Sequence, residues 1–285
     1  MSIEIQSVSK SFGETRALDN VCITLEANHI YGLLGRNGAG KTTLLNCMTG
    51  RIFPAQGKIL VDGAPALEND RALCRIYLMS EQAMYPEGMR VQEAIRLSGN
   101  FYPGFQTEAA VAMAGKFGLD IRKRVKNLST GYSSIFKLVI ALNVNTPYLL
   151  LDEPVLGLDA NHRDLFYRLL IEKFAENPCC IVVSTHLIEE VSNLIDQVVI
   201  IDRGRVVRSE SRDNLLAAGY TVSGPAGLVD TFIEGRDCVG TDTLGGLKTA
   251  YILGKVPDKF SETLPAGLEF SGMDLQKLFI QLTNS

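Results

Sequence analysis

The chain has 285 residues, with 28 lysines and arginines against 32 aspartates and glutamates, a formal charge of −4 and a pI near 5.5. That balance excludes a general polyanion binder, whose affinity comes from clustered cations displacing counterions from phosphates, so no direct nucleic-acid partner is expected. Apolar residues at 46% with 21% charged exclude wholesale disorder, while unbroken apolar runs such as Leu149 to Leu151 and Val198 to Ile201 fall far short of the ~18 residues that a membrane-spanning helix needs.

Met1 to Gln6 carries no basic region leading into an apolar stretch, so no secretory signal is expected and the chain is expected to stay in the cytoplasm. Ile3 and Ile5, then Val21, Ile23 and Leu25, alternate with polar residues as half-exposed strands do, and they predict an antiparallel flank. Ile30 to Leu34 reads as a buried strand. It leads into Gly35-Arg36-Asn37-Gly38-Ala39-Gly40-Lys41-Thr42, a match to G-x-x-x-x-G-K-[ST], with Thr43 next and a helix pattern of Leu44, Leu45 and Met48 that ends at Gly50. Glycines let the backbone wrap phosphate oxygens, and the helix that follows offers unpaired N–H groups and a positive dipole end. Lys41 is expected to reach the β- and γ-phosphates of a nucleotide, and Thr42 to offer its hydroxyl to Mg²⁺.

Farther along, the basic run Arg122 to Lys126 reads as a solvated face. Ser129 is a good N-cap, and Ile135, Leu138, Val139 and Leu142 recur at helical spacing, so a buried amphipathic helix begins there with its positive end exposed as a second anion site. Tyr148 to Leu151 and Ile181 to Val183 are continuous apolar runs, as strands covered on both faces should be, which indicates α/β architecture with a parallel core. Asp152 and Glu153 close the first of these strands. A hard carboxylate near the Thr42 hydroxyl suits Mg²⁺, and a glutamate beside it can polarise an attacking water. Val198 to Ile201 and Val206-Val207, joined around Arg203-Gly204, predict a hairpin. The six cysteines include no C-x-x-C pair and read as reduced, mostly buried thiols. A boundary is placed near Ser211. In the tail, Tyr251 to Leu253 and Leu268 to Phe270 read as short strands, and Asp274 to Leu282 as an amphipathic helix capped by Ser271 or Asp274.

With these motifs in place, residues 1 to about 210 resemble an ATP-binding cassette (ABC) ATPase. Leu128-Ser129-Thr130-Gly131-Tyr132 resembles the family signature L-S-G-G-Q, with Thr130 and Tyr132 departing from it. Gln82 stands at the Q-loop position, Leu158-Asp159 at the D-loop, Ser184-Thr185-His186 at the switch histidine, and Phe12 at the aromatic that stacks on adenine.

The resemblance implies a P-loop ABC ATPase with a mostly parallel sheet core, an antiparallel β flank, a helical insert at about 89 to 145 that carries the signature, and a small α+β appendix over 211 to 285. Phe12 and Gly35 to Thr43 are then expected to bind ATP, with Thr42, Gln82 and Asp152 on Mg²⁺. Glu153, His186 and Gln82 are expected to be catalytic. Ser129, Thr130, Gly131 and Tyr132 are expected to meet the phosphate of a second nucleotide-binding subunit, homodimeric or heterodimeric, with Asp159 at that dimer contact. Separate transmembrane permease subunits are the further partners, at the cytoplasmic side of the cell membrane. The expected activity is ATP hydrolysis that drives transport, with export favoured by the insert and the tail. A soluble single-cassette ATPase with a scaffold, assembly or nucleic-acid role is the alternative, although only 88 positions separate Lys41 from Ser129, with no heptads and no zinc module. A regulator that does not hydrolyse ATP is disfavoured because Glu153 and His186 are both present.

Overall fold

A computed structural model describes residues 1–82, 84–255 and 267–283. The chain begins with strands Ser2–Phe12 (β1), Thr15–Glu26 (β2) and Ile30–Leu34 (β3), and helix Lys41–Met48 (α1). Strands Gln56–Val61 (β4) and Ala64–Pro65 (β5), a turn of helix at Asp70–Leu73 (α2) and strand Ile76–Met79 (β6) follow. Next come helices Val91–Phe101 (α3), Thr107–Lys116 (α4) and Thr130–Asn143 (α5), strand Tyr148–Asp152 (β7), helix Ala160–Glu176 (α6), strand Cys180–Thr185 (β8), helix Ile188–Val191 (α7), and strands Gln197–Asp202 (β9) and Arg205–Ser211 (β10). Beyond them lie Arg212–Ala217 (α8), Gly219–Pro225 (β11), Ala226–Ile233 (α9), Cys238–Leu244 (β12), Leu247–Leu253 (β13), Glu269–Gly272 (β14) and Leu275–Thr283 (α10).

The central sheet runs β10-β9-β3-β8-β7-β6, parallel throughout except for the β9–β10 hairpin, which turns at Arg203-Gly204 as the sequence indicates. Its strands explain their own apolar runs. Ile30 and Leu34, Leu149 and Leu151, Ile181 and Val183, and Val198 and Ile200 point to one core with α3 to α6. Their neighbours Tyr31 and Leu33, Tyr148 and Leu150, Cys180 and Val182, and Val199 and Ile201 point to a second core. With side chains alternating and both faces covered, the middles of these strands are apolar on both faces, and polar residues such as Asp152, Ser184 and Thr185 stand only at the strand ends. The second core is closed by α1, through Leu44 and Leu45, and by the antiparallel sheet β2-β1-β4-β5, which is the predicted flank.

The insert is helical, and the basic run before the signature is a solvated face around buried Val125. All six cysteines are free; Cys47, Cys179 and Cys180 are buried, whereas Cys22 and Cys74 are exposed. The tail forms a third, antiparallel sheet, β12-β13-β11-β14, against α9, with a small core of Tyr220, Val222, Val229, Phe232, Ala250 and Ile252. Helix α10 is capped by Asp274, whose Oδ1 accepts from the Lys277 N–H at 2.7 Å. Leu275, Leu278 and Phe279 of α10 and Leu215 of α8 join the main cassette core.

Leu150 is fully buried in the middle of the central sheet. Leu150→Ala is expected to lower stability by about 2–5 kcal/mol by chemical denaturation, from lost burial and the cavity left behind. Ile171→Ala, at a half-exposed position on α6, is expected to stay within about 0.5 kcal/mol.

Candidate functional site

The carboxyl ends of β3, β6, β7 and β8 lie side by side, the usual place for a ligand in an open parallel sheet. Register sets their alignment: Leu34 pairs Thr185, Asp152 pairs Ser184, and Met79 pairs Leu151. The loops after β3, β6 and β7 therefore open on one cleft of about 570 Å³, while His186 after β8 does not line it and reaches its edge only through Glu153. The cleft is lined by Arg36 to Thr43, by Ser80 to Gln82, by Asp152 and Glu153, and by Thr15 to Ala17 on the near wall.

The glycine-rich loop is a backbone cradle. Gly40 takes φ +108° at the start of α1, and a Cβ there would stand 2.5 Å from the Ala17 carbonyl, so no other residue fits. The β9–β10 turn braces the loop: the Gly204 N–H donates to the Ala39 carbonyl at 2.9 Å, and the Gly204 carbonyl accepts from Asp19 N–H at 2.8 Å. Lys41 is only 6% exposed, and its Nζ donates to the Gly35 carbonyl at 2.7 Å and to that of Arg36 at 3.3 Å. An ammonium held among carbonyls at a helix N-terminus is placed to meet an anion.

Asp152 is 7% exposed and accepts from the Ser184 hydroxyl at 2.9 Å. Burial pushes its carboxyl pKa above the ordinary value, opposed by hydrogen bonds from Thr42 and Ser184. Glu153 has a left-handed backbone, φ 45°, at a cost of roughly 1–3 kcal/mol for a residue with a Cβ. Its N–H still donates to the Ser184 carbonyl at 2.9 Å. Its carboxylate meets Lys41 Nζ at 3.5 Å and His186 Nδ1 at 3.0 Å, and accepts from the Thr185 hydroxyl at 3.4 Å. A carboxylate only accepts, so Nδ1 of His186 carries the proton in that contact. Sequence spacing alone does not show that Lys41, Glu153 and His186 form one cluster.

Among the described residues, no group of three or more His, Cys, Asp or Glu side chains is placed to hold a metal. The Asp152 carboxylate and the Thr42 hydroxyl meet in the cleft, and the amide of Gln82 also lines it, so all three offer hard oxygen donors there. Such a short set fits Mg²⁺ that completes its shell with phosphate oxygens and water.

The expected residues do not all meet. Phe12 sits at the hairpin turn of β1 and β2, half exposed, with Lys10 Nζ 5.4 Å from its ring centroid; Thr15, Arg16 and Ala17 after it line the cleft, and Phe12 does not. None of Ser129 to Tyr132 lines it either. Ser129 caps α5, its hydroxyl accepting from the Tyr132 N–H at 3.4 Å. A Cβ on Gly131 would stand 2.8 Å from the Gly157 carbonyl, and Ser134 donates to the Leu156 carbonyl at 2.9 Å, so the signature is locked against the loop that leads to Asp159. Asp159 caps α6, accepting from the His162 N–H at 2.9 Å. The Tyr132 ring turns inward to meet His162 edge-on, 6.3 Å between centroids. The Tyr132 departure is thus absorbed by packing between α5 and α6.

A sequence model described as ABC transporter matches residues 18–156. The lantibiotic transport ATP-binding protein SrtF of Streptococcus pyogenes is 30% identical over 215 residues, which cover 74% of this chain and 91% of that protein. The chain belongs to the ABC transporter family. It is an ATP-binding subunit of that family, and its family chemistry is ATP hydrolysis. The Nod factor export ATP-binding protein I of Rhizobium meliloti is 32% identical over 223 residues, 76% of this chain and 66% of that protein. Among solved structures, a dimeric bacterial ABC transporter cassette matches with a TM-score of 0.66 at 23% identity, covering 74% of this chain and 98% of that one, which is a likeness of fold.

Several residues of this ABC cassette escape its sequence motifs: Thr15 to Ala17 and Arg51 on the cleft wall, and Gly204 under the phosphate loop. Thr15 to Ala17 and Gly204 arrive from elements distant in the chain, and Arg51 follows α1 outside the phosphate-loop motif, so no motif announces them. The burial of Asp152 has a cost that can be measured. A carboxyl whose folded pKa is raised disfavours the folded state above that pKa, and the penalty vanishes below the ordinary value of 3.8. Asp152→Asn is therefore expected to raise the melting midpoint at neutral pH in chelator, and the gain should fade as pH falls toward 3.8. A lowered midpoint at pH 7 in a thermal scan would contradict this.

Proposed function

We propose that this cassette hydrolyses ATP between Lys41 and Glu153 and, as half of a head-to-tail dimer, drives separate transmembrane subunits, most simply in export. The observation that carries the catalytic assignment is the cluster in which Glu153 meets both Lys41 and His186 at the mouth of the phosphate cradle. The N–H groups of Gly38 to Thr43 bind the phosphates, and Lys41 exchanges its Gly35 and Arg36 carbonyls for β- and γ-oxygens. Mg²⁺, held by Thr42, Asp152 and Gln82, would neutralise charge on the β- and γ-oxygens when bound.

Glu153 accepts a hydrogen bond from the attacking water and takes its proton as the water oxygen bonds to the γ-phosphorus and the bond to the β-phosphate oxygen breaks, leaving ADP and phosphate. His186, held by Glu153, orients that water and touches the γ-phosphate. The left-handed backbone at Glu153 swings the carboxylate off the line of β7 toward this position.

Support for a dimer comes from the second anion-binding helix end. Ser129 and Gly131 stand at the N-terminus of α5 yet outside their own chain's cleft, so the N–H groups of this helix end suit the ATP of another subunit. Among the described residues no helix is long and apolar enough to cross a membrane, which is consistent with the transport path lying in other chains. Peripheral attachment at the cytoplasmic face follows from that partnership. Export is supported by the helical insert and by the export and lantibiotic names of two relatives. The boundary near Ser211, with 1–210 as the cassette and 211–285 as an accessory unit, is supported by the separate small core of the third sheet. The relatives being transport subunits, the scaffold alternative has no observation in its favour.

Glu153→Gln is expected to cut phosphate release by about 100-fold or more, the contribution of a positioned base, and to trap an ATP-bound dimer visible by size-exclusion chromatography. Unchanged turnover would remove Glu153 from the mechanism. For the transport role, affinity-purified chain from gently solubilised membranes should carry a multi-span protein encoded beside it, and its absence would overturn the partnership.

A further inference from the structure

The loop that carries Gln82 is held from two sides by cations. On α5, the Lys137 Nζ donates to the Glu81 carbonyl at 2.8 Å and to the Ser80 carbonyl at 3.3 Å. From the segment just past α1, Arg51 donates through one guanidinium nitrogen to the Ser80 hydroxyl at 3.0 Å and through the other to the Met84 sulfur at 3.3 Å. Ser80 itself is buried at the end of β6, so its hydroxyl and carbonyl have little access to water.

Lys137 is unusual for its place. Its neighbours Ile135, Phe136, Leu138 and Val139 are all buried, and burial pushes its own ammonium pKa down from the ordinary lysine value, with Glu81 opposing. An apolar side chain would avoid that desolvation. Retention of a cation here therefore needs a reason other than packing, and the two carbonyls it holds belong to the residues just ahead of Gln82.

We propose that Lys137 is a positioning residue that ties Gln82 to the signature helix, so that a displacement of α5 moves the Gln82 loop with it. Ser129 lies eight residues, or about two helical turns, before Lys137 on the same rigid element. In the dimer proposed above, on which this coupling rests, Ser129 and Gly131 meet the ATP held by the other subunit. Occupancy of the partner's site is then conveyed along α5 through Lys137 to Gln82 in this chain's own site. Arg51 supplies the opposite anchor, attached to the element that follows the phosphate loop, so the Gln82 loop is strung between the two phosphate-binding helices.

The test uses the full chain with Lys137→Met, which keeps length and removes the cation, and Lys137→Arg, which keeps the donors. Amide hydrogen exchange over residues 80–85 without nucleotide is expected to speed up about tenfold or more in Lys137→Met, from the loss of its charge-assisted hydrogen bonds to the Ser80 and Glu81 carbonyls, and to return toward the parent rate in Lys137→Arg. Steady-state hydrolysis by Lys137→Met is expected to show kcat lowered about tenfold with KM for ATP within about twofold, because Lys137 bonds to no residue of the phosphate cradle. Unchanged exchange over 80–85 would overturn the proposal. So would acceleration spread equally over β7 and β8, which reports general destabilisation, or a loosened loop with unaltered kcat. If the parent chain released no phosphate from ATP, the hydrolytic function would fail, while the exchange comparison would still decide whether Lys137 holds the loop.

Discussion

The register of four parallel strands is the constraint on which the rest depends. Because β6, β7, β8 and β3 are aligned, with Met79 beside Leu151, Asp152 beside Ser184 and Leu34 beside Thr185, the residues after β3, β6 and β7 enter one cleft, and His186 after β8 meets Glu153 at its edge. A slip of one residue in β7 would turn Leu150 and Leu151 to the opposite faces and carry Asp152 away from Ser184 and Thr42. The apolar burial that sets this register is the same burial that places the chemistry. Two cores, one on each face, hold the strands so tightly that a strained Glu153 backbone and a buried Lys41 can be carried at their ends.

Two helix N-termini are the anion sites of the proposed function, and the fold keeps them apart. The start of α1 lies in the cleft; the start of α5 is packed on the loop from Glu153 to Asp159, through Gly131 on Gly157 and Ser134 on Leu156. A second cavity of about 400 Å³, lined by Thr130, Ser133 and Lys137, adjoins the first and shares Asp152 and Glu153 with it. Glu153 therefore stands between the phosphate loop and the signature helix of its own chain. Thr130 and Tyr132 fit this packing: the Thr130 methyl lies against Gly157, and Tyr132 fills the space toward His162. Ser129 and Gly131, the residues proposed to meet an anion, keep the types of the signature pattern.

The residues after Ser211 form a sheet with its own small core, yet α8 and α10 bury Leu215, Leu278 and Phe279 against the cassette near α7. That attachment sits on the side of the sheet away from the flank β2-β1-β4-β5. Helix α7, which begins two residues after His186, shares this core with α10.

Much of the cassette was legible from local pattern. The strand, glycine loop and helix at Ile30 to Gly50, the paired carboxylates at Asp152 and Glu153, the cap at Ser129 and the hairpin at Arg203-Gly204 are each specified within a dozen residues, because steric freedom, alternation and capping act over that range. In the tail the patterns are weaker, and there Leu268 falls outside the strand that Glu269–Gly272 forms, while Asp274 rather than Ser271 caps the last helix. What only the tertiary structure decided are the contacts between distant segments: Lys41 and His186 on Glu153, Gly204 under Ala39, Lys137 and Arg51 on the Gln82 loop, and Thr15 to Ala17 in place of Phe12 on the cleft wall. These depend on strand order and register, which arise from the burial of whole faces rather than from any one segment, so the residues that chemistry needs were readable singly and their meeting was not.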